Sequence, residues 1–159
     1  IDGEMSPTAL VDVDLPDIQF MSETISGAGI AGEIDSPTLG HFSAFEIGMN
    51  FRTLIKDNFK TFSQKVYALE FRAATQSTDM SGGQINKGRL KISTRVVPKS
   101  LGLGKLEVGK PSGSNQKFAC AYLKVEVDNE TVLEIDKINM IFNVNGEDLL
   151  AEVRDAIGM

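Results

Sequence analysis

The sequence contains one cysteine, one histidine and no tryptophan among its 159 residues. A single cysteine excludes an internal disulfide framework. Cys120 and His41 together supply two ligands, whereas a structural zinc site takes about four, so a zinc-held fold is excluded as well. Because His41 is the sole imidazole, any Ser/His or Cys/His nucleophilic site would depend on it. No G-x-S-x-G motif lies near His41, so a surface histidine is the favoured interpretation.

Long hydrophobic runs and an excess of positive charge are also missing. No run approaches the roughly 18 apolar residues of a membrane span, so no membrane anchor is expected. Lysine and arginine number 16 against 22 aspartate and glutamate residues, a formal charge of −6. Tight binding to nucleic acid phosphates depends on clustered lysine and arginine, so a nucleic-acid reader is disfavoured. The length predicts a single domain over residues 1–159.

Alternating apolar and polar residues predict strands with one buried face. Phe45, Ile47, Met49 and Phe51 alternate with polar or small residues, and the same period of two recurs at 67–73, 90–96 and 119–127. A further long strand is expected over 132–144. Strands of this kind are typical of antiparallel sheets that are wetted on one side. The sequence therefore predicts a mainly β fold, with antiparallel sheets arranged as a β-sandwich or barrel.

Two segments show helical spacing instead. Apolar residues at 54, 55, 59 and 62 predict a short internal amphipathic α-helix. Leu149, Leu150 and Val153 begin the apolar face of a C-terminal α-helix, for which Asn145 is the candidate N-cap and Gly158 the terminator. One internal and one C-terminal α-helix thus complete the predicted fold.

Two glycine-rich stretches predict loops, one over 22–40 and a second over 99–116. Long loops in compact domains are usually functional or disordered. The first loop contains Gly27-Ala28-Gly29-Ile30-Ala31-Gly32, which satisfies the G-x-G-x-x-G dinucleotide fingerprint. That fingerprint requires a helix directly after it, and Pro37 and Gly40 interrupt the chain there. A flexible glycine loop is favoured over cofactor binding, and no cofactor is expected.

Carboxylate pairs are the remaining candidates for chemistry. Asp12 and Asp14 are two residues apart, as are Glu134 and Asp136, so each pair shares one face of a strand. Such pairs can serve acid–base or cation-binding roles. A solvated acidic face is favoured, because no partner in the sequence defines a cleft. No enzymatic constellation is found.

Three motifs stand out in the C-terminal region: VLEIDKINMI at 132–141, VNGED at 144–148 and IGM at 157–159. Together they resemble the C-terminal signature of major tail tube proteins of contractile-tailed phages. The Gly27-Ala28-Gly29 loop with Ile30 is similar to the Gly-Ala-Gly loop of that family. The layout is similar over most of the chain, while the specific motifs are concentrated at 27–32 and 132–159. No matching motif is found at 99–116.

The resemblance implies a structural subunit and no enzyme. Six copies would form a ring whose inner strands join into one continuous β-barrel, and rings would stack into a tube within a contractile sheath. The tube would conduct DNA or, in a phage-tail-like bacteriocin, pierce the target envelope. The implied partners are other copies of the chain, the sheath, baseplate and tape-measure proteins, and DNA passing without specific binding. The implied location is the virion tail or bacteriocin particle, assembled in the host cytoplasm.

Two sets of residues are candidates under this resemblance. The candidates for stacking between rings are Gly27, Ala28, Gly29, Ile30 and Gly32. The candidates for a polar face or lumen are Glu46, Asn50, Arg52, Lys124, Glu126, Glu134 and Asp136. A lumen short of clustered lysine and arginine would let DNA slide, because it would not release counterions from the phosphates. Alternation alone leaves open which polar face lines the lumen.

Three alternatives stay open. A ring protein of a bacterial contractile secretion system shares the general architecture, although the C-terminal motif favours a phage-type tube. A monomeric β-sandwich binding module would present protected strand edges and one concave ligand face. An enzymatic alternative would require nucleotide binding at 27–32. The choice between infective phage and headless bacteriocin also stays open.

Overall fold

Residues 10–159 form ten strands, one 3₁₀ turn and one α-helix in the computed structural model. The strands are β1 (Leu10–Asp14), β2 (Phe20–Ile25), β3 (Ile34–Phe42), β4 (Phe45–Phe51), β5 (Tyr67–Asp79), β6 (Gln84–Gly102), β7 (Ser114–Val127), β8 (Glu130–Asp136), β9 (Ile141–Val144) and β10 (Glu147–Asp148). The 3₁₀ turn spans Lys56–Phe59 and α1 spans Ala151–Ile157. The mainly β class is confirmed, although the sheet does not close into a barrel within residues 10–159. Residues 1–9 of the predicted domain lie outside the described part.

Strand β7 is the centre of an eight-stranded antiparallel sheet. On one side, β6 pairs with almost the whole length of β7. On the other side, β4 pairs with the first half of β7 and β8 with the second half. The sheet continues from β6 to β5, from β4 to β1, and from β8 through β9 to β10. Two branches of the sheet, β4–β1 and β8–β9–β10, therefore start from the same edge of β7.

The core lies on one face of this sheet. Phe45, Ile47, Met49 and Phe51 are all buried, as their period of two predicts. Phe118 of β7 has no exposed surface. Helix α1 covers part of this face through the partly buried Val153, and Arg154 at its centre donates to the carbonyl of Met140 at 2.8 Å. Within residues 10–159, no helix covers the opposite face of the sheet.

The predicted internal helix over 54–62 is wrong. The segment makes one short 3₁₀ turn, because its polar side chains are the ones that bond to the sheet. Asn58 donates to the Ser114 hydroxyl at 2.9 Å, and Thr61 donates to the Gln116 carboxamide oxygen at 3.1 Å. Phe59, which the helical spacing would bury, is 50% exposed. The residues of this segment that become fully buried are thus the hydrogen-bonded polar ones, and the apolar residues at helical spacing do not form one buried face.

The C-terminal helix is confirmed, but it begins later than its predicted cap. Asn145 has φ 52° and, with Gly146, forms the tight turn between β9 and β10, so it is not an N-cap. Gly158 ends the helix in the left-handed conformation, as predicted. The long strand expected over 132–144 is broken at 137–140. Asp136 accepts hydrogen bonds from the backbone of Ile138 and Asn139 there, which stabilises a turn.

Both predicted loops are shorter in the structure. Most of 22–40 belongs to the β2–β3 hairpin, a separate two-stranded sheet whose loop covers 26–33. Pro37 is tolerated because it pairs with Ser22 in this isolated ribbon, where one side of each strand needs no partner. Phe20 and Phe42 at the base of the hairpin pack against Phe142 of the core. The second loop is confined to 103–113, between β6 and β7.

Replacing Gln116 with alanine should lower the free energy of unfolding by about 2–4 kcal/mol. Gln116 is fully buried, and its loss leaves the Thr61 carbonyl without its donor and the Thr61 hydroxyl with only the Asn58 carbonyl, at 3.5 Å, as acceptor. Urea denaturation of both proteins measures this change. The exposed neighbour Lys117, replaced with alanine, is the control and should change stability by less than about 1 kcal/mol. Equal losses from the two substitutions would contradict the structural role of Gln116.

Candidate assembly surfaces

The uncovered face of the main sheet, called here the polar face, holds most of the predicted lumen residues. The five that lie on it are Glu46, Asn50, Lys124, Glu126 and Glu134. A bulge at Ala121 of β7 keeps the face continuous, because it restores the alternation between Cys120 and Leu123, which are both buried. Side chains from two branches of the sheet therefore share one surface.

Charges of opposite sign alternate across the polar face. Arg72 Nε lies 2.5 Å from a carboxylate oxygen of Glu70, whose other oxygen lies 3.6 Å from Lys91 Nζ. Lys91 Nζ lies 3.7 Å from Glu126, and Glu126 lies 3.4 Å from Lys124 Nζ. The chain of ion pairs crosses β5, β6 and β7. Each cation in it already has a carboxylate beside it.

A second group on the polar face is built around Glu46. Lys99 Nζ donates to one oxygen of Glu46 at 2.7 Å, and Lys117 Nζ lies 3.6 Å from the other. The hydrogen bond from Lys99 and the charges of both lysines hold the pKa of Glu46 below its ordinary value, although desolvation opposes them. Arg95 lies over the Tyr122 ring, 4.9 Å from its centroid. Asp12 and Asp14 accept hydrogen bonds from Asn50 on the same face. With Glu46, Glu70, Glu126 and Glu134 they make six carboxylates, which balance the six cations Arg72, Lys91, Arg95, Lys99, Lys117 and Lys124.

The two other predicted lumen residues are not part of the exposed polar face. Arg52 is exposed just beyond the end of β4, in the loop that starts there. Asp136 is 6% exposed and caps the turn after β8. Burial opposes the ionisation of Asp136, but hydrogen bonds from Asn139 and Ile138 outweigh it, so its pKa lies below the ordinary value. Asp136 thus serves the turn and adds no exposed charge to the polar face.

Strand β5 forms a long edge of the sheet. Within residues 10–159 its second half, residues 74–79, pairs with β6 alone and extends past the end of β7. The carbonyl of Arg89 accepts from Asp128 N at 2.8 Å and so faces away from β5. Ala74, opposite Arg89, must then direct its own N–H to the outer edge, as must Gln76 two residues on. Backbone N–H and C=O groups along this edge are therefore available to pair with another strand.

The stacking candidates lie together at the end of the β2–β3 hairpin, called here the hairpin tip (residues 25–34). Gly29 and Gly32 have φ values of 100° and 113°, which side chains rarely adopt. Ile30 N bonds to the Gly27 carbonyl at 3.2 Å. Ile25 and Ile34 face each other across the ribbon and are 45% and 54% exposed. The tip thus presents apolar side chains on a glycine turn.

A surface that the sequence did not predict lies at the far end of β4 and is called here the loop end (residues 52–66 and 103–113). The two loops are joined by bonds from Gly113 N to the Arg52 carbonyl and from Leu54 N to the Ser112 hydroxyl. A Cβ atom at Gly104 would lie 1.7 Å from the Gly113 carbonyl oxygen, so only glycine permits this close approach. Leu106 at the apex is 94% exposed. Its exposure, and not a sequence motif, marks the surface.

Cys120 and His41 are the candidates for nucleophilic chemistry. Burial raises the pKa of the Cys120 thiol to about 11, so the reactive thiolate is scarce at neutral pH. His41 is exposed on β3. Within residues 10–159, no cluster of three histidine, cysteine, aspartate or glutamate side chains is placed to hold a metal ion. The same residues include no helix that is long and apolar enough to cross a membrane.

Comparison with known proteins gives two matches. The family model described as phage tail tube protein FII matches residues 1–158. The tail tube protein of Escherichia phage P2 is 36% identical over 70 residues. That alignment covers 44% of this chain and 41% of the P2 protein, so the chain aligns with less than half the length of this relative.

Replacing Lys99 with methionine should raise the pKa of Glu46, because the strongest interaction that lowers it is the hydrogen bond from Lys99. NMR titration of the Glu46 carboxyl carbon measures the change. A glutamate whose folded pKa is lowered adds stability above its unfolded pKa of about 4.3 and loses it as the pH falls through the folded value. The variant should therefore lose less stability on acidification. Lys65→Met is the control, since Lys65 lies over the Tyr67 ring and should leave the pKa of Glu46 unchanged.

Proposed function

The chain belongs to the family of phage tail tube proteins, and from this membership we propose that its copies form hexameric rings that stack into a DNA-conducting tube within a contractile sheath. A tail tube protein is a structural component of the virion tail and not an enzyme. The observation that supports DNA conduction is the charge-balanced polar face. The open edge of β5 supports the ring.

Ring closure follows from the edge of β5. The exposed edge in the second half of β5, residues 74–79, invites pairing with other chains, and natural proteins protect such edges or close them into barrels. Pairing of β5 with a strand of the neighbouring subunit would continue the sheet around the ring. Each subunit would then contribute its polar face to one continuous inner β-barrel.

The polar face is suited to the lumen because the other face of the sheet is occupied by the core and α1. Cations that bind phosphate release the counterions of DNA, and this release is the main source of non-specific affinity. Lys91, Lys99 and Lys124 each lie beside a carboxylate of the same face. Their charge is therefore offset before DNA arrives, and DNA can slide without being held.

Other parts of the proposal follow from the family. The hairpin tip, with Gly27, Ala28, Gly29, Ile30 and Gly32, would contact the adjacent ring. Sheath, baseplate and tape-measure proteins would be the remaining partners. The tube of a phage-tail-like bacteriocin would use the same subunit design, but it would carry no DNA and would gain nothing from a sliding surface.

Negative-stain electron microscopy of the purified full chain tests the assembly. We expect rings and tubes with a central channel. Monomers without rings at high protein concentration would contradict the proposal. Tubes of the Glu46→Lys/Glu126→Lys variant should then retain DNA at least about tenfold more tightly than wild-type tubes at low salt, because the reversed charges leave lysines unpaired.

The matched control for the lumen test is Glu152→Lys/Asp155→Lys. It makes the same change in charge on the exposed side of α1, away from the polar face. Its tubes should retain no more DNA than wild-type tubes. Equal retention by both double variants would show that the polar face does not line the channel.

Replacing Gln76 with proline should prevent ring closure with little loss of monomer stability. The Gln76 N–H faces the outer edge of β5, so proline removes a donor for the neighbouring subunit and leaves the ladder to β6 intact. Analytical ultracentrifugation measures assembly and urea denaturation measures stability. Gln76→Ala keeps the N–H and should assemble normally. Rings of wild-type yield from the proline variant would exclude this edge as the subunit contact.

A further inference from the structure

The hairpin and the loop end have opposite charge. The segment 15–44, called here the acidic hairpin, contains four carboxylates and no lysine or arginine. These are Asp17, Glu23, Glu33 and Asp35. The loop end contains six basic residues, Arg52, Lys56, Lys60, Lys65, Lys105 and Lys110, against the two carboxylates Asp57 and Glu107. The formal charges are thus −4 on one surface and +4 on the other.

Much of this charge has no internal partner. Within the part of the chain that the structure describes, none of the four hairpin carboxylates forms an ion pair. At the loop end, Lys60 pairs with Asp57, and Glu107 pairs with both Lys105 and Lys110. The other basic residues there make no ion pair with a carboxylate of residues 10–159. The polar face, by contrast, neutralises itself.

Both surfaces also expose apolar side chains. On the acidic hairpin these include Met21, Ile34 and Leu39, each more than half exposed. On the loop end they include Leu106 and Val108 at the apex of the second loop. Only the base of the hairpin packs on the core, and an isolated two-stranded ribbon is marginally stable in water. Docking of the projecting part would cover apolar area on both sides.

The two surfaces lie at opposite ends of one strand. Strand β4 starts at Phe45, directly after the acidic hairpin, and ends at Phe51, directly before the loop end. Its seven residues separate them by about 20 Å. A contact between unlike surfaces on identical copies is head-to-tail, and it repeats without closing when the copies are translated along an axis. In a β-barrel the strands are tilted by about 35–45° from the barrel axis, so the two ends of a strand lie toward the two ends of the barrel.

We propose that the acidic hairpin of one subunit docks on the loop end of a second copy of this chain in the adjacent ring. This inference rests on the proposed function and assigns the surface that receives the hairpin tip. A second copy is the occupant because one chain supplies both complementary charges, and supplies them at opposite ends. Charge complementarity sets partner choice and direction, while the apolar side chains exclude water from the contact.

Charge reversal and rescue test this contact. Glu23→Lys/Glu33→Lys places two lysines on the acidic hairpin and changes its formal charge from −4 to 0, and Lys56→Glu/Lys65→Glu changes the formal charge of the loop end from +4 to 0. Each double variant should raise the protein concentration required for tube growth about tenfold or more while still forming rings. A mixture of the two should restore growth, because the unchanged hairpin of one variant matches the unchanged loop end of the other, and the two new lysines then face the two new glutamates. Glu152→Lys/Asp155→Lys is the control and should behave as wild type.

Light scattering measures tube growth, and electron microscopy separates rings from tubes. Rings without tubes from each double variant, with tubes from the mixture, would support the contact. Normal tubes from both double variants would overturn it and leave the proposed function standing, and these surfaces would then face another partner. Stacking lost in both variants and not rescued by mixing would also overturn it. Absence of rings in the wild type would overturn the proposed function, and this inference with it.

Discussion

The pairing of β7 with three neighbours determines the rest of the molecule. Because β4 and β8 both pair with the same edge of β7, the β4–β1 part and the β8–β9–β10 part of the sheet present their side chains on the same two faces. The bulge at Ala121 keeps Phe118 and Leu123 on the core side, and Lys117 and Lys124 on the other side. A slip of one residue would exchange the two faces along either branch. The ion pairs of the polar face and the packing of α1 therefore depend on the same register.

The sequence predicts the fold best where burial follows a period of two. Phe45 to Phe51 alternate because one face of β4 lies on the core, and a pattern of this kind needs no knowledge of the partner strands. The internal helix was wrong because Asn58 and Thr61 find buried partners on β7, which are distant in sequence. The β2–β3 hairpin was missed because Gly29, Gly32 and Pro37 are typical of loops and are tolerated in an isolated ribbon.

The candidate surfaces were partly predictable for the same reason. Alternation placed Glu46, Lys124 and Glu126 on a polar face, but it could not show that each lies beside an opposite charge on the next strand. Asp136 fits the alternation and yet is withdrawn into a turn, because the hydrogen bonds it accepts are local. No sequence motif indicated the surface at the loop end. Its exposed Leu106 and unpaired cations become visible only when two loops separated by 36 residues of sequence are brought together.

The placement of opposite charges at the two ends of β4 also gives any column of these subunits an electrical polarity. The charged groups at one terminus of the column would be carboxylates. At the other terminus, lysine and arginine side chains would outnumber the carboxylates. A protein that initiates the column and a protein that caps it would then meet unlike chemistry. Each would recognise its own terminus by charge alone, so the direction of growth would be fixed by the subunit before any length-measuring partner acts.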